Sequence, residues 1–224
     1  MNGFIETLTK FLTYLSTNYD EVLAETWTHT QLVGLAIIIS IAIGVPLGIY
    51  LSTNEQLAET VIQITSVIMT IPSIALFGIM IPILSTIGQG IGFVPALIAL
   101  VLYSQLPIVR NTYVAISNVD PNIKDAAIGI GMTPMQRLLK VEIPNAMPLI
   151  MAGVRQATVL NIGIGAIAAY IGSGGLGSLI NQGIVRSNTN LILAGAVFVS
   201  ILAIIADLIL KYIQNRYTAK GVKN

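Results

Sequence analysis

Apolar residues run along this chain in blocks too long for a water-soluble fold. The segment QLVGLAIIISIAIGVPLGIYLS, about 31–52, carries no charge. At about 1.5 Å per residue it reaches roughly 30 Å, the depth of a hydrocarbon core. After the polar break STNEQ a second run extends over about 57–80, ending SIALFGIM. Further runs cover about 91–116, 146–171 and 190–211, which predicts an all-α, polytopic membrane protein of about five spans. Pro46 is expected to bend the first span unless a neighbour satisfies the freed carbonyl. The segment 81–91, with Pro82, Ser85, Thr86, Gly88 and Gly90, reads as a short loop. Splitting 57–91 into two spans would give six instead.

The regions outside these spans have their own patterns. Residues 1–29 place Phe4, Leu8, Phe11, Leu12 and Leu15 at helical spacing. This suggests an amphipathic helix at the membrane interface, with a loosely packed extension as the alternative. No basic stretch precedes an apolar core there, so no cleavable leader is expected. Between 118 and 145 the polarity rises sharply, and a Gly-rich connection, IGSGGLGSLINQGIVRSNTN, precedes the last span.

Composition agrees with the pattern. Of 224 residues 54% are hydrophobic and 9% are charged, against about 25% charged in soluble domains. Eleven basic and ten acidic side chains are too few to cover a soluble surface. The net charge of +1 gives no argument for nucleic acid, and the absence of cysteine removes disulfides and thiolate metal sites. His29 stands alone as a histidine, and no carboxylate pair has a reaction to serve, so neither a catalytic nor a metal site is expected. With the 118–145 loop in the cytoplasm, the 213–224 tail with Arg216, Lys220 and Lys223 lies inside, as does Lys211 at the end of the last span. The N-terminus, rich in Glu6, Asp20, Glu21 and Glu25, then lies outside, as the positive-inside rule requires. Six spans would reverse the N-terminus against that rule.

The polar stretch DAAIGIGMTPMQRLLKVEIP, from Asp125 to Pro144, is the most informative one. Asp120 suits an N-cap and Pro121 the first helical position. Gly129 and Gly131 weaken that helix's end; Thr133-Pro134 restarts a second helix, which Pro144 is expected to stop. A hairpin folded back on its own bundle and a docking element for a soluble partner both fit these features.

Asp125-Ala126-Ala127, then Gly131, then Val141, Ile143 and Pro144 at intact spacing resemble the "EAA" signature of ABC importer permeases. Asp replaces the usual Glu, and Ile the usual Leu. The likeness runs from about 28 to 212, through TIPSIALFG, VRNTY and GVRQATVLNIGIGAIAAYIGSGGLG. It is nearest to the small permeases of the glycine betaine, carnitine and choline importers. The resemblance implies a type I importer (MetI-like) fold, with a transmembrane domain over 30–212. ATP and Mg would be used by a separate ATPase subunit, with no cofactor on this chain. The other implied partners are a second permease, identical or a sister chain, and an external substrate-binding protein. It assigns Asp125, Ala126, Ala127 and Gly131 to the ATPase contact, braced by Val141, Ile143 and Pro144.

Polar groups inside the spans either line a path or join helices. Gln63, Ser66, Thr70, Gln156, Thr158 and Asn161 are the path candidates. Arg110 and Arg155 sit near one end of their spans, as gates or as snorkelling anchors. Asp207 is available for a salt link. For a quaternary ammonium solute, Tyr103, Tyr170 and Phe77 give a weak aromatic cage. SGGLG lacks the Lys and the strand-to-helix setting of a phosphate loop. A gradient-driven carrier or channel, and a non-transporting scaffold, are the competing classes.

Overall fold

The computed structural model describes residues 2–217, with side chains from Glu6 to Arg216. Lys220 and Lys223 of the basic tail, and the Phe4 side chain, lie outside the described residues. The chain folds into α1 (Asn2–Thr17), α2 (Tyr19–Leu51), α3 (Glu55–Thr70), α4 (Ser73–Ser85), α5 (Phe93–Ser117), α6 (Pro121–Gly129), α7 (Pro134–Arg137), α8 (Ile143–Ala168), α9 (Leu176–Val185) and α10 (Thr189–Tyr217). Among the described residues four helical stretches are long and apolar enough to cross a membrane, and five if the bent pair α3–α4 counts as one span.

Several expected boundaries move. The first span begins at Tyr19, inside the segment read as N-terminal, and stays helical through Pro46. The run 57–80 is broken, with a turn of 100° between α3 and α4. Pro72 explains this: it donates no hydrogen bond to α3 and disfavours helical backbone at Ile71. Its carbonyl instead opens α4, accepting from Ala75 N at 2.9 Å and Leu76 N at 3.0 Å. Helix α4 then runs on to Ser85, through half of the expected loop. The Gly-rich connection likewise holds a helix, α9.

The chain divides into two compact units. One comprises the chain up to Ala36 with Ile71–Val101 and Val159–Ile205; the other comprises Ile37–Thr70, Leu102–Thr158 and the segment from Ala206 onward. In the first, Phe11, Tyr14 and Leu15 of α1 pack on Val22, Leu176, Leu179, Leu191 and Ala194. Leu8 and Leu12 remain exposed, so the apolar face expected of α1 is only half used by the fold. His29 is fully buried, with Nε2 3.1 Å from the Ile162 carbonyl. Because a carbonyl only accepts, Nε2 must carry the proton.

In the second unit, α2 and α5 meet at small residues. A Cβ on Gly48 would lie 2.6 Å from the Thr112 Cβ, and one on Gly44 2.8 Å from Ile108 Cγ2. These two form a G-x-x-x-G pair that lets the helix backbones approach. Beside it, Leu51, Ala58 and Val109 pack with Leu47, Val61 and Tyr113. In water, burying one such Leu or Val contributes about 1.5–3 kcal/mol. Lipid tails are as apolar as Leu, so close packing, more than exclusion from solvent, selects this arrangement.

Candidate functional site

The polar stretch folds as its sequence suggests at its start. Asp120 caps α6, accepting from Asn122 N at 2.8 Å, and Pro121 occupies the first turn. Lys124 Nζ donates to the carbonyls of Ile116 and Ser117 at 3.1 and 3.4 Å, closing the end of α5. The far end of α6 shows what Gly131 is for. Gly131 N donates to Ile128 O at 2.9 Å and Met132 N to Ala127 O at 3.1 Å, the paired bonds of a Schellman cap. That cap requires a left-handed residue, and Gly131 has φ +81°. Nothing lies within 4 Å of where its Cβ would be, so the need is conformational. An L-residue there would cost about 1–2 kcal/mol.

Downstream, Thr133 opens α7 with a full capping box: Thr133 Oγ1 accepts from Gln136 N at 3.3 Å, and Gln136 Oε1 accepts from Thr133 N at 3.0 Å. The expected stop at Pro144 does not occur. The helix continues from Pro134 to Ile171 through a π-helical turn at Leu138–Glu142. The wider turn makes room for the Pro144 ring, which would clash with a carbonyl four residues back in a regular helix. Asn145 Nδ2 donates to Val141 O at 2.7 Å. Arg137 Nε donates to Glu142 Oε1 at 2.6 Å, and Glu142 is buried.

Exposure sorts the signature residues. Asp125 and Ala126 face outward, whereas Ala127 is 4% exposed and belongs to the chain's own packing. Ile128, Ile130, Met135 and Leu139 are exposed beside them, an apolar rim on a polar loop. Val141 and Ile143 are half-buried at the π turn, with Pro144 exposed.

The two arginines differ completely. Arg155 forks onto Asp207, Nε to Oδ1 at 2.5 Å and Nη2 to Oδ2 at 3.0 Å. Its Nη1 reaches Gln214 Oε1 at 3.3 Å, and Gln214 Nε2 donates to Pro148 O at 2.8 Å. Arg155 therefore ties α8 to α10. Arg110 is exposed at the junction of two cavities. One, of about 380 Å³, is lined by Met69, Pro107, Asn111 and Gln156 as well as Arg110. The other, of about 450 Å³, is lined by Glu55, Glu59, Gln63 and Tyr113 with Arg110.

The path candidates therefore separate. Gln63 and Gln156 come together around Arg110. Thr158 is buried and donates to Val154 O at 2.8 Å, and Asn161 is buried and donates to Leu100 O at 3.2 Å. Ser66 and Thr70 donate to carbonyls of their own helix. Tyr103 and Phe77 are buried and Tyr170 is exposed, and none of the three is among the residues lining these cavities. Tyr113 was missed, as was the cavity-facing role of Glu55; for Glu55 the signal was the four-residue step Glu55, Glu59, Gln63, one stripe of α3.

A model of the family described as binding-protein-dependent transport system inner membrane component matches residues 25–219. The chain belongs to this family. This permease is 48% identical over 210 residues to the osmoprotectant import permease protein OsmW of Salmonella typhimurium, covering 94% of this chain and 98% of that protein. It is 40% identical over 216 residues to the glycine betaine/carnitine/choline transport system permease protein OpuCB of Bacillus subtilis, covering 96% and 97% of the two. In three dimensions it resembles the MetNI methionine ABC transporter in inward-facing conformations, with TM-score 0.79 at 25% identity, over 88% of this chain and 96% of that one. The permease is thus a multi-pass inner-membrane component of an ABC importer, with the all-α MetI-like fold its sequence implied.

Proposed function

We propose that this permease forms the membrane path for glycine betaine, carnitine, choline or a related compatible solute, driven by a separate subunit that hydrolyses ATP with Mg. Helix α6 is the part that subunit grips, in a cytoplasmic loop over 118–145, with the N-terminus outside and the C-terminus inside. A second permease, identical or a sister chain, completes the path, and an external binding protein delivers the solute. The observation that carries the reading is the build of α6: a short helix capped at both ends, with Asp125, Ala126 and an apolar rim turned outward. Gly131 sets how the chain leaves this helix, and the π turn at Val141 with Ile143 and Pro144 passes its movement to α8. A rigid element ending in a rigid joint transmits force; a frayed loop would not.

The test uses the chain assembled with its ATPase and binding protein in proteoliposomes. Glycine betaine uptake is expected to require ATP, and glycine betaine to stimulate hydrolysis. Ala126→Trp fills the contact face and is expected to cut both to below about a tenth of wild type, the scale of a lost interface hot spot, while the chain stays inserted. Ala127→Trp is a poorer probe because that side chain is buried in its own unit. Uptake at the wild-type rate by Ala126→Trp would remove the docking role, and ATP-independent uptake by the chain alone would make it a gradient-driven carrier.

A further inference from the structure

The cavity beside Arg110 is built from charges of both signs that leave one another alone. Glu55 and Glu59 lie one turn apart on α3, with Gln63 a turn further on, and all three line the same 450 Å³ space as Arg110 and Tyr113. Yet among the described residues no Arg110 nitrogen comes within 4.0 Å of either carboxylate, and the ion pairs formed are Lys10–Glu6, Arg137–Glu142 and Arg155–Asp207. Opposite charges sharing one cleft without closing on each other leave a gap with a positive end and a negative end. Its volume lies within the range of about 300–1,000 Å³ typical of small-molecule clefts.

We infer that this cavity is a subsite for a zwitterion, whose carboxylate is received by Arg110 and whose cationic group is received by Glu55, Glu59 and the ring of Tyr113. The inference rests on the transport reading above and narrows its substrate class. An arginine presents a planar fork of donors that matches a carboxylate, which an ammonium point charge does not. A quaternary ammonium has no N–H to donate, so it is held by charge and by an aromatic face. Tyr113 supplies that face: its body packs on the Leu51, Ala58 and Val109 cluster, and another part of its surface lines the cavity. Gln63 on one side and Gln156 in the adjoining cavity add neutral hydrogen-bonding groups along the route. A solute with only a positive charge would find the acidic half of this site and meet repulsion from Arg110. The cavity therefore favours betaines and carnitine over choline.

Uptake of glycine betaine and of choline is compared in proteoliposomes holding the assembled importer, with wild type, Arg110→Gln and Glu55→Gln/Glu59→Gln. Arg110→Gln is expected to lower glycine betaine uptake by about tenfold or more, the loss of a charge-assisted contact, with choline uptake unchanged or raised. The double acid variant is expected to lower both solutes. In parallel, saturation-transfer NMR on the N-methyl protons of glycine betaine reads binding to the purified chain in nanodiscs, and Arg110→Gln is expected to erase the signal. An ATP-dependent wild type whose ratio of the two solutes is unmoved by Arg110→Gln overturns the subsite and leaves the permease reading standing. A wild type without ATP-dependent uptake removes the permease reading, and the NMR signal then decides the subsite alone: no signal, or one indifferent to Arg110, overturns it.

Discussion

Arg155 and Arg110 belong to the same compact unit and to helices α8 and α5, and from sequence they were the same kind of residue: a lone cation near the end of a span. Arg155 is closed on both sides, forked onto Asp207 and touching Gln214. Arg110 is exposed to two cavities and, among the described residues, forms no ion pair. The difference lies in what faces them. Asp207 is placed opposite Arg155 by the last helix, whereas the acids nearest in kind to Arg110 stand across open space. An arginine satisfied within the fold serves the fold; one left open in a cavity is available to something that arrives.

The strongest way to break this comparison is to remove the closed fork. Arg155→Ala is expected to lower the melting temperature of the detergent-purified chain by about 5 °C, since two charge-assisted bonds and the packing of the stem are lost together. Asp207→Ala should do nearly the same, and the double variant little more, because each single change already breaks the unit. Additive losses would mean that the two residues act independently and that the fork is incidental.

A smaller effect is expected from the other closed pair. Glu142 is buried and accepts from Arg137 across the π turn. Glu142→Gln keeps the shape and an acceptor but removes the charge, so a drop of about 2–3 °C is expected. Hydrogen exchange should quicken at the amides of Leu138 to Glu142, since the pair spans that turn. Unchanged exchange there would detach the pair from the π geometry.

These contrasts show where sequence reading reaches. The number of spans, the capped α6 and the Thr133-Pro134 restart follow from local chemistry, hydrophobic length and cap residues, and the sequence displays both. The sequence pattern runs unbroken through Pro72 and marks a stop at Pro144, and the fold does the opposite at each. What separates them is a widened turn, stabilised by Asn145 and by a buried Glu142 that reaches back to Arg137. That is a product of neighbours, which a single position does not announce. The likeness of Arg110 to Arg155, and of Gln63 to Asn161, failed to resolve for the same reason. Asn161 is buried with Leu100 O to accept from it; Gln63 is exposed and lines a cavity with Arg110. Residue type gives the capacity for a bond, and only the fold gives the partner. The stripe of Glu55, Glu59 and Gln63 was the one path feature that periodicity alone could have found.

The smallest expected change is the one that matters most for the open arginine. Arg110→Gln removes a side chain that closes no ion pair among the described residues, so the melting temperature should stay within about 1 °C of wild type. A fall comparable to that of Arg155→Ala would show that Arg110 is part of the fold after all. The sharper reading comes from adding solute. A ligand that binds only the folded protein stabilises it by about 2.7 kcal/mol at a hundred times its Kd, so glycine betaine should raise the melting temperature of wild type and leave that of Arg110→Gln where it was. Choline, which has no carboxylate to offer and is repelled by Arg110, should move Arg110→Gln at least as far as wild type. If glycine betaine shifts both by the same amount, the carboxylate is being held elsewhere, and the open geometry of Arg110 serves neither binding nor stability.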